Sequence, residues 1–62
     1  MTPVEVLENA VEYCQRKMGS RLERRDFKEQ FSLAEDDAER ITICKRWLDS
    51  YRQIANAERS YA

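Results

Sequence analysis

The sequence predicts a small all-α domain: a first helix, a short middle helix and a long C-terminal helix. Three observations predict it. Apolar residues recur at every third or fourth position through most of the 62 residues. Helix-start residues stand before successive periodic runs: Thr2-Pro3, Ser20 and Ser32. The single proline and the single glycine, Pro3 and Gly19, fall at helix boundaries, so nothing interrupts the chain after Ser20.

Helix 1 is expected from about residue 3 to residue 18. Thr2 is a good N-cap, Pro3 suits the first helical position, and Glu5 completes a capping box. Val4, Leu7, Val11, Cys14 and Met18 form one apolar face with Ala10 at its edge. Glu5, Glu8, Glu12 and Gln15 form the wet face, and Val6 with Tyr13 lies off the main stripe. Gly19 is placed to end the helix as a left-handed cap.

The middle segment, SRLERRDFKEQF, admits two readings. Asp26 caps a short helix of Phe27 to Phe31, or Ser20 and Glu23 form a capping box and one helix spans about 21 to 31. In both, Leu22, Phe27 and Phe31 are the apolar anchors, with the two phenylalanines laid against the flanking helices.

The long helix is expected to start at a Ser32–Glu35 capping box and to run from about 33 to 58. Glu35, Asp36 and Asp37 suit the positive end of its dipole. Ala34, Ala38, Ile41, Cys44, Leu48, Tyr51 and Ala55 make one apolar row, and Ile43, Trp47 and Ile54 a second. Together they cover roughly half the helix surface, more than one packing face needs. Such a helix would be about 39 Å long, against about 27 Å for a compact chain of this size. It is therefore expected to overhang, with Tyr51, Ile54 and Ala55 on the overhang.

Composition narrows the function classes. There is no histidine, which excludes imidazole metal sites and histidine acid–base catalysis. The two cysteines, Cys14 and Cys44, are too few for a thiolate cage and read as buried, reduced thiols. No cofactor is expected, and a chain this short has little volume for a pocket of about 300 Å³, so an enzyme is not expected. No apolar run approaches a membrane span and no leader is visible, so a soluble cytoplasmic protein is expected. Small domains bury little surface, which makes oligomerisation or a partner the expected supplement.

Two constellations remain. Arg16, Lys17, Arg21, Arg24, Arg25 and Lys28 form a basic patch suited to phosphates, to an acidic partner surface or to the Glu35–Glu39 cluster of a second copy. Trp47, Tyr51 and Ile54, with Ala55, have the spacing of anchors that a helix offers to a partner groove. In addition, DFKEQFSLAEDDAERI resembles a DNA-binding helix-turn-helix in the spacing of Phe27, Phe31, Leu33, Ala38 and Ile41. It departs from that pattern at Ser32, where glycine is usual, and at Lys28, where a small residue packs. The resemblance implies a DNA-binding regulator using segment 16–28 and the start of the long helix. Glu35, Asp36 and Asp37 at that start oppose nucleic acid. The leading expectation is a non-enzymatic regulatory or interaction protein of the phage- or bacterial-accessory kind, self-associating as a homodimer through its long helix and binding another protein.

Overall fold

A computed structural model describes residues 1–61 as three helices: α1 (Pro3–Met18), α2 (Arg21–Leu33) and α3 (Asp37–Tyr61). α1 keeps its expected bounds. Thr2 is extended and its hydroxyl accepts from Glu5 N–H at 3.2 Å, with Pro3 at the first position. Arg16 and Lys17 occupy the last turn, where the dipole favours cations.

Gly19 does not end α1 in the left-handed region. Its φ is −87° and ψ 164°, an extended conformation open to any residue. The constraint there is space: a Cβ would lie 2.9 Å from the Cα and carbonyl oxygen of Gln15 and 3.1 Å from the Tyr51 hydroxyl. Glycine lets the chain turn against its own last helical turn. Two residues, Gly19 and Ser20, then suffice to connect α1 to α2.

The middle segment is one helix, started by Ser20 and Glu23. Ser20 Oγ accepts from Glu23 N–H at 3.2 Å, and Glu23 Oε2 accepts from Ser20 N–H at 2.8 Å. Asp26 lies inside the helix. Phe27 is buried, but Leu22, expected as an anchor, is 70% exposed.

The start of the long helix is corrected. Ser32 lies within the last turn of α2, and Ala34 caps that helix in an extended conformation. α3 begins at Asp37 because a competing cap stands one turn later. Asp36 Oδ1 accepts from Glu39 N–H at 2.9 Å, while Glu39 Oε2 accepts from Glu35 N–H at 2.9 Å. Aspartate caps at least as well as serine. Asp37 adds an ion pair to Arg40 at 2.8 Å. Leu33 and Ala38, counted as interior in the helix-turn-helix spacing, are exposed.

The helices run up, down and up. Glu8 lies near Cys44, Cys14 near Tyr51, and Met18 shares a depression with Ala55, so α1 and α3 are parallel. α2 returns between them. It meets α3 at Phe31–Arg40 near the turn, at Phe27–Trp47 midway and at Glu23–Tyr51 at the far end. The pair is therefore an antiparallel helical hairpin in contact along its length. α1 and α2 touch each other least, leaving a cleft. Val11, Phe27 and Cys44 form the core, closed by Leu7, Phe31, Ile43, Trp47 and Leu48.

This arrangement accounts for the broad apolar stripe on α3. Trp47 packs towards α2 and Leu48 towards α1, with Ile43 against the shared core. Both rows are used internally through Tyr51, apart from Ala38 at the start, while Ile54 beyond it stays exposed. Tyr51, expected on the overhang, is 1% exposed. The overhang begins near Ala55, which is half-buried, and from Asn56 to Ser60 it is polar or small. α3 still sets the 40 Å long axis, and the radius of gyration of 12.2 Å exceeds the roughly 11 Å of a compact chain this long.

Gly19→Ala is expected to lower stability by about 1–3 kcal/mol through overpacking, with no contribution from backbone strain. Urea unfolding checks it; an unchanged midpoint would mean that the α1–α2 corner has room the geometry denies.

Candidate functional site

The helices converge on Glu23. Its Oε2 holds the start of α2, as above, and its Oε1 accepts from the Tyr51 hydroxyl of α3 at 3.3 Å. Its backbone carbonyl accepts from Gln15 Nε2 of α1 at 3.3 Å. One residue thus bonds all three helices. Gln15, assigned to the wet face by sequence, is 2% exposed. Its position was legible: it stands four residues after Val11, on the same face.

Burial raises the Tyr51 phenol above its ordinary 10.0, and the neighbouring Glu23 carboxylate adds to this; the Gln15 amide acts the other way. Burial likewise raises the Cys44 thiol above 9.0, with a smaller contribution from Glu8. Both are acids held neutral in the fold. Their stabilisation is complete below the ordinary values and is lost as pH rises through the higher folded values.

This node adjoins the basic site through Gln15. Gln15 lines a cleft of about 180 Å³ between α1 and α2, together with Glu12, Arg16, Arg24 and Lys28. Arg21 and Arg25 join Arg24 and Lys28 around the adjoining depression. Five of the six basic residues singled out by sequence are brought together. The sixth, Lys17, stands over the Tyr13 ring at 5.6 Å from its centroid. Among the described residues, the ion pair present is Arg40–Asp37, so no carboxylate contacts any of these six cations. Arg21 and Arg24 also lie in the first turns of α2, at the dipole end that repels cations, while its last turn has no basic residue.

The other predicted set is dispersed. Trp47 is half-buried, packs edge-on against Phe27 at 6.2 Å, and donates from Nε1 to Gln30 at 3.2 Å. Tyr51 is interior. Ile54, 41% exposed, is the one large apolar residue that α3 leaves open among the described residues. The apolar side chains left to solvent lie instead on α1 and α2: Val6 and Tyr13 at 51% and 57%, Leu22 and Leu33 at 70% and 75%. Val6 and Tyr13 are seven residues apart and Leu22 and Leu33 eleven, so each pair lies on one helix face.

Cys14 and Cys44 are free thiols, half-buried and buried. Among the described residues no group of three or more acidic or cysteine side chains could hold a metal ion, and no helix is long and apolar enough to cross a membrane.

Stability is expected to hold from neutral pH to about pH 9 and to fall above it, as the Cys44 thiol and then the Tyr51 phenol ionise. Tyr51→Phe should cost about 1–2 kcal/mol at neutral pH and flatten the part of the decline above pH 10. Thermal unfolding from pH 7 to 11 checks both; an identical alkaline limb in the variant would remove Tyr51 from the explanation. Comparison with protein-family models, curated proteins and solved structures finds no match for the chain, and its functional reading rests on this geometry.

Proposed function

We propose that this chain is a non-enzymatic, regulatory interaction module that acts by binding another protein, with the outward surfaces of α1 and α2 as its contact surface. The observation that carries the reading is the placement of large apolar side chains. Leu22 and Leu33 stand more exposed than any core position would allow, on the face of α2 opposite Phe27, and Val6 and Tyr13 do the same on α1. The accessible surface of 4947 Å² is larger than the roughly 4,200 Å² expected of a compact protein of this mass. A partner that covers α1 and α2 would reduce that excess. Free Cys14 and Cys44 suit a reducing compartment, and we place the protein in the cytoplasm.

Self-association belongs to the same reading, but α3 is a poor place for it. Burial of Tyr51 leaves Ile54 as the single large apolar anchor there. A homodimer would use α1 and α2. A helix-turn-helix reading needs segment 16–28 and the start of α3 to address one groove. The basic cluster lies towards the Gly19 end of α2, whereas the carboxylates of Asp36, Asp37 and Glu39 lie at the opposite end. That separation favours the protein-binding reading over a duplex.

A photo-crosslinking amino acid at Leu33, at Tyr13 or at the overhang residue Asn56 tests this in the protein's own cells. Discrete protein adducts are expected from Leu33 and Tyr13 and none from Asn56; an adduct of twice the chain mass identifies a homodimer and any other mass a different protein. Leu33→Glu should remove the adduct formed from Tyr13 while leaving stability within about 0.5 kcal/mol. Absence of adducts at both positions, or adducts to nucleic acid alone, would contradict the proposal.

A further inference from the structure

We infer that the cleft between α1 and α2 docks an acidic, amphipathic helix of a partner protein. Its carboxylates, three and four residues apart, meet Arg21, Arg24 and Lys28, and Arg16 closes on them from the opposite wall. The inference rests on the protein-binding reading above and names the chemistry of the partner.

Arg21 and Arg24 lack any internal reason for their placement. Among the described residues no carboxylate contacts them, and they crowd the positive end of α2. Such a placement is unfavourable in the isolated chain and becomes favourable once an anion covers it. Arg16, Arg24 and Lys28 share the cleft with the buried Gln15 amide, whose bond to Glu23 fixes the spacing of the two walls. The site is therefore preformed.

Register selects the ligand. Arg21, Arg24, Arg25 and Lys28 occupy positions i, i+3, i+4 and i+7 of one helix, a stripe about 10 Å long. A helix laid alongside presents carboxylates at the same repeat, and guanidinium groups take carboxylates through two parallel bonds. The stripe is bounded. Glu29 stands one turn beyond Arg25 on α2, and Glu12 lines the cleft itself, one turn before Arg16, with Glu8 a further turn away on α1. A nucleic-acid strand carries its charge on past two helical turns and would meet all three carboxylates. An acidic patch two turns long passes Glu12 alone, and its own carboxylates face the cations and not that residue. Next to Arg21 in the first turn of α2, Leu22 is 70% exposed. It supplies apolar contact for the other side of an amphipathic partner.

The test uses fluorescence anisotropy with the full chain and a labelled, alanine-based helical peptide carrying glutamates three and four residues apart on one face. A peptide of the same composition with the glutamates spread around the helix is the control, and a random DNA duplex is the third probe. The patterned peptide is expected to bind roughly tenfold more tightly than the control and to weaken as salt rises. Arg24→Glu with Lys28→Glu should abolish binding without loss of helicity by circular dichroism, both side chains being exposed. Arg24→Gln with Lys28→Gln should weaken it at unchanged stability. Equal binding of both peptides, preference for the duplex, or no binding of the patterned peptide would overturn the inference. Should the peptide fail while the Leu33 and Tyr13 adducts persist, this inference alone falls; loss of the adducts as well removes the protein-binding reading with it.

Discussion

The fold depends on the bonding of Glu23. A domain with so few fully buried apolar residues has little hydrophobic stabilisation to spare, and its first two helices barely pack against each other. Glu23 compensates by serving several purposes within one turn. Its carboxylate caps α2 and receives the Tyr51 hydroxyl, and its carbonyl receives the Gln15 amide. The polar groups of the interior are thereby satisfied, since no buried side-chain nitrogen or oxygen lacks a partner among the described residues. Gly19 is part of the same device, because only a residue without a side chain lets the α1–α2 corner approach Gln15 and Tyr51.

That bonding also positions the functional surface. By tying α2 to α1 through one hydrogen bond and the shared core of Val11 and Phe27 rather than a long packed seam, it leaves a cleft lined by the Gln15 amide and by basic residues. The charges are segregated along the molecule: cations gather near Gly19, and Glu29 to Glu39 gather at the far turn. At the far end the acids are used locally, in the α3 cap and the Arg40 pair. At the near end Arg16 and Lys17 suit the end of α1, but among the described residues no carboxylate contacts the four cations of α2. This asymmetry, rather than net charge, distinguishes the basic surface from an ordinary solvated helix face.

Much of this was legible in the residues. The number and order of helices, the bounds of α1, the Ser20–Glu23 box and the gathering of basic residues follow from spacing and capping chemistry. The misreadings have physical causes. Two adjacent cap signals, Ser32–Glu35 and Asp36–Glu39, are each locally sufficient, and sequence does not rank them; burial of Ala34 at the turn goes with the later one. A wide apolar stripe on α3 fits one internal and one external partner as well as it fits two internal partners, and the latter is the case. The stripe therefore reads Tyr51 as an interface anchor on the overhang, although its ring is interior and its hydroxyl has Glu23 to bond. Gln15 was assigned by chemical type rather than by phase, which put a core-facing amide on the wet face.

A double-mutant cycle on Glu23→Gln and Tyr51→Phe tests the central claim most directly, since glutamine keeps the cap of α2 and isolates the link to α3. If Glu23 couples the helices, the two substitutions interact by about 0.5–1.5 kcal/mol in urea unfolding. Additivity to within about 0.3 kcal/mol would mean that the Glu23 carboxylate does not couple α2 to α3, and the account of Glu23 as the residue that joins the three helices would fail.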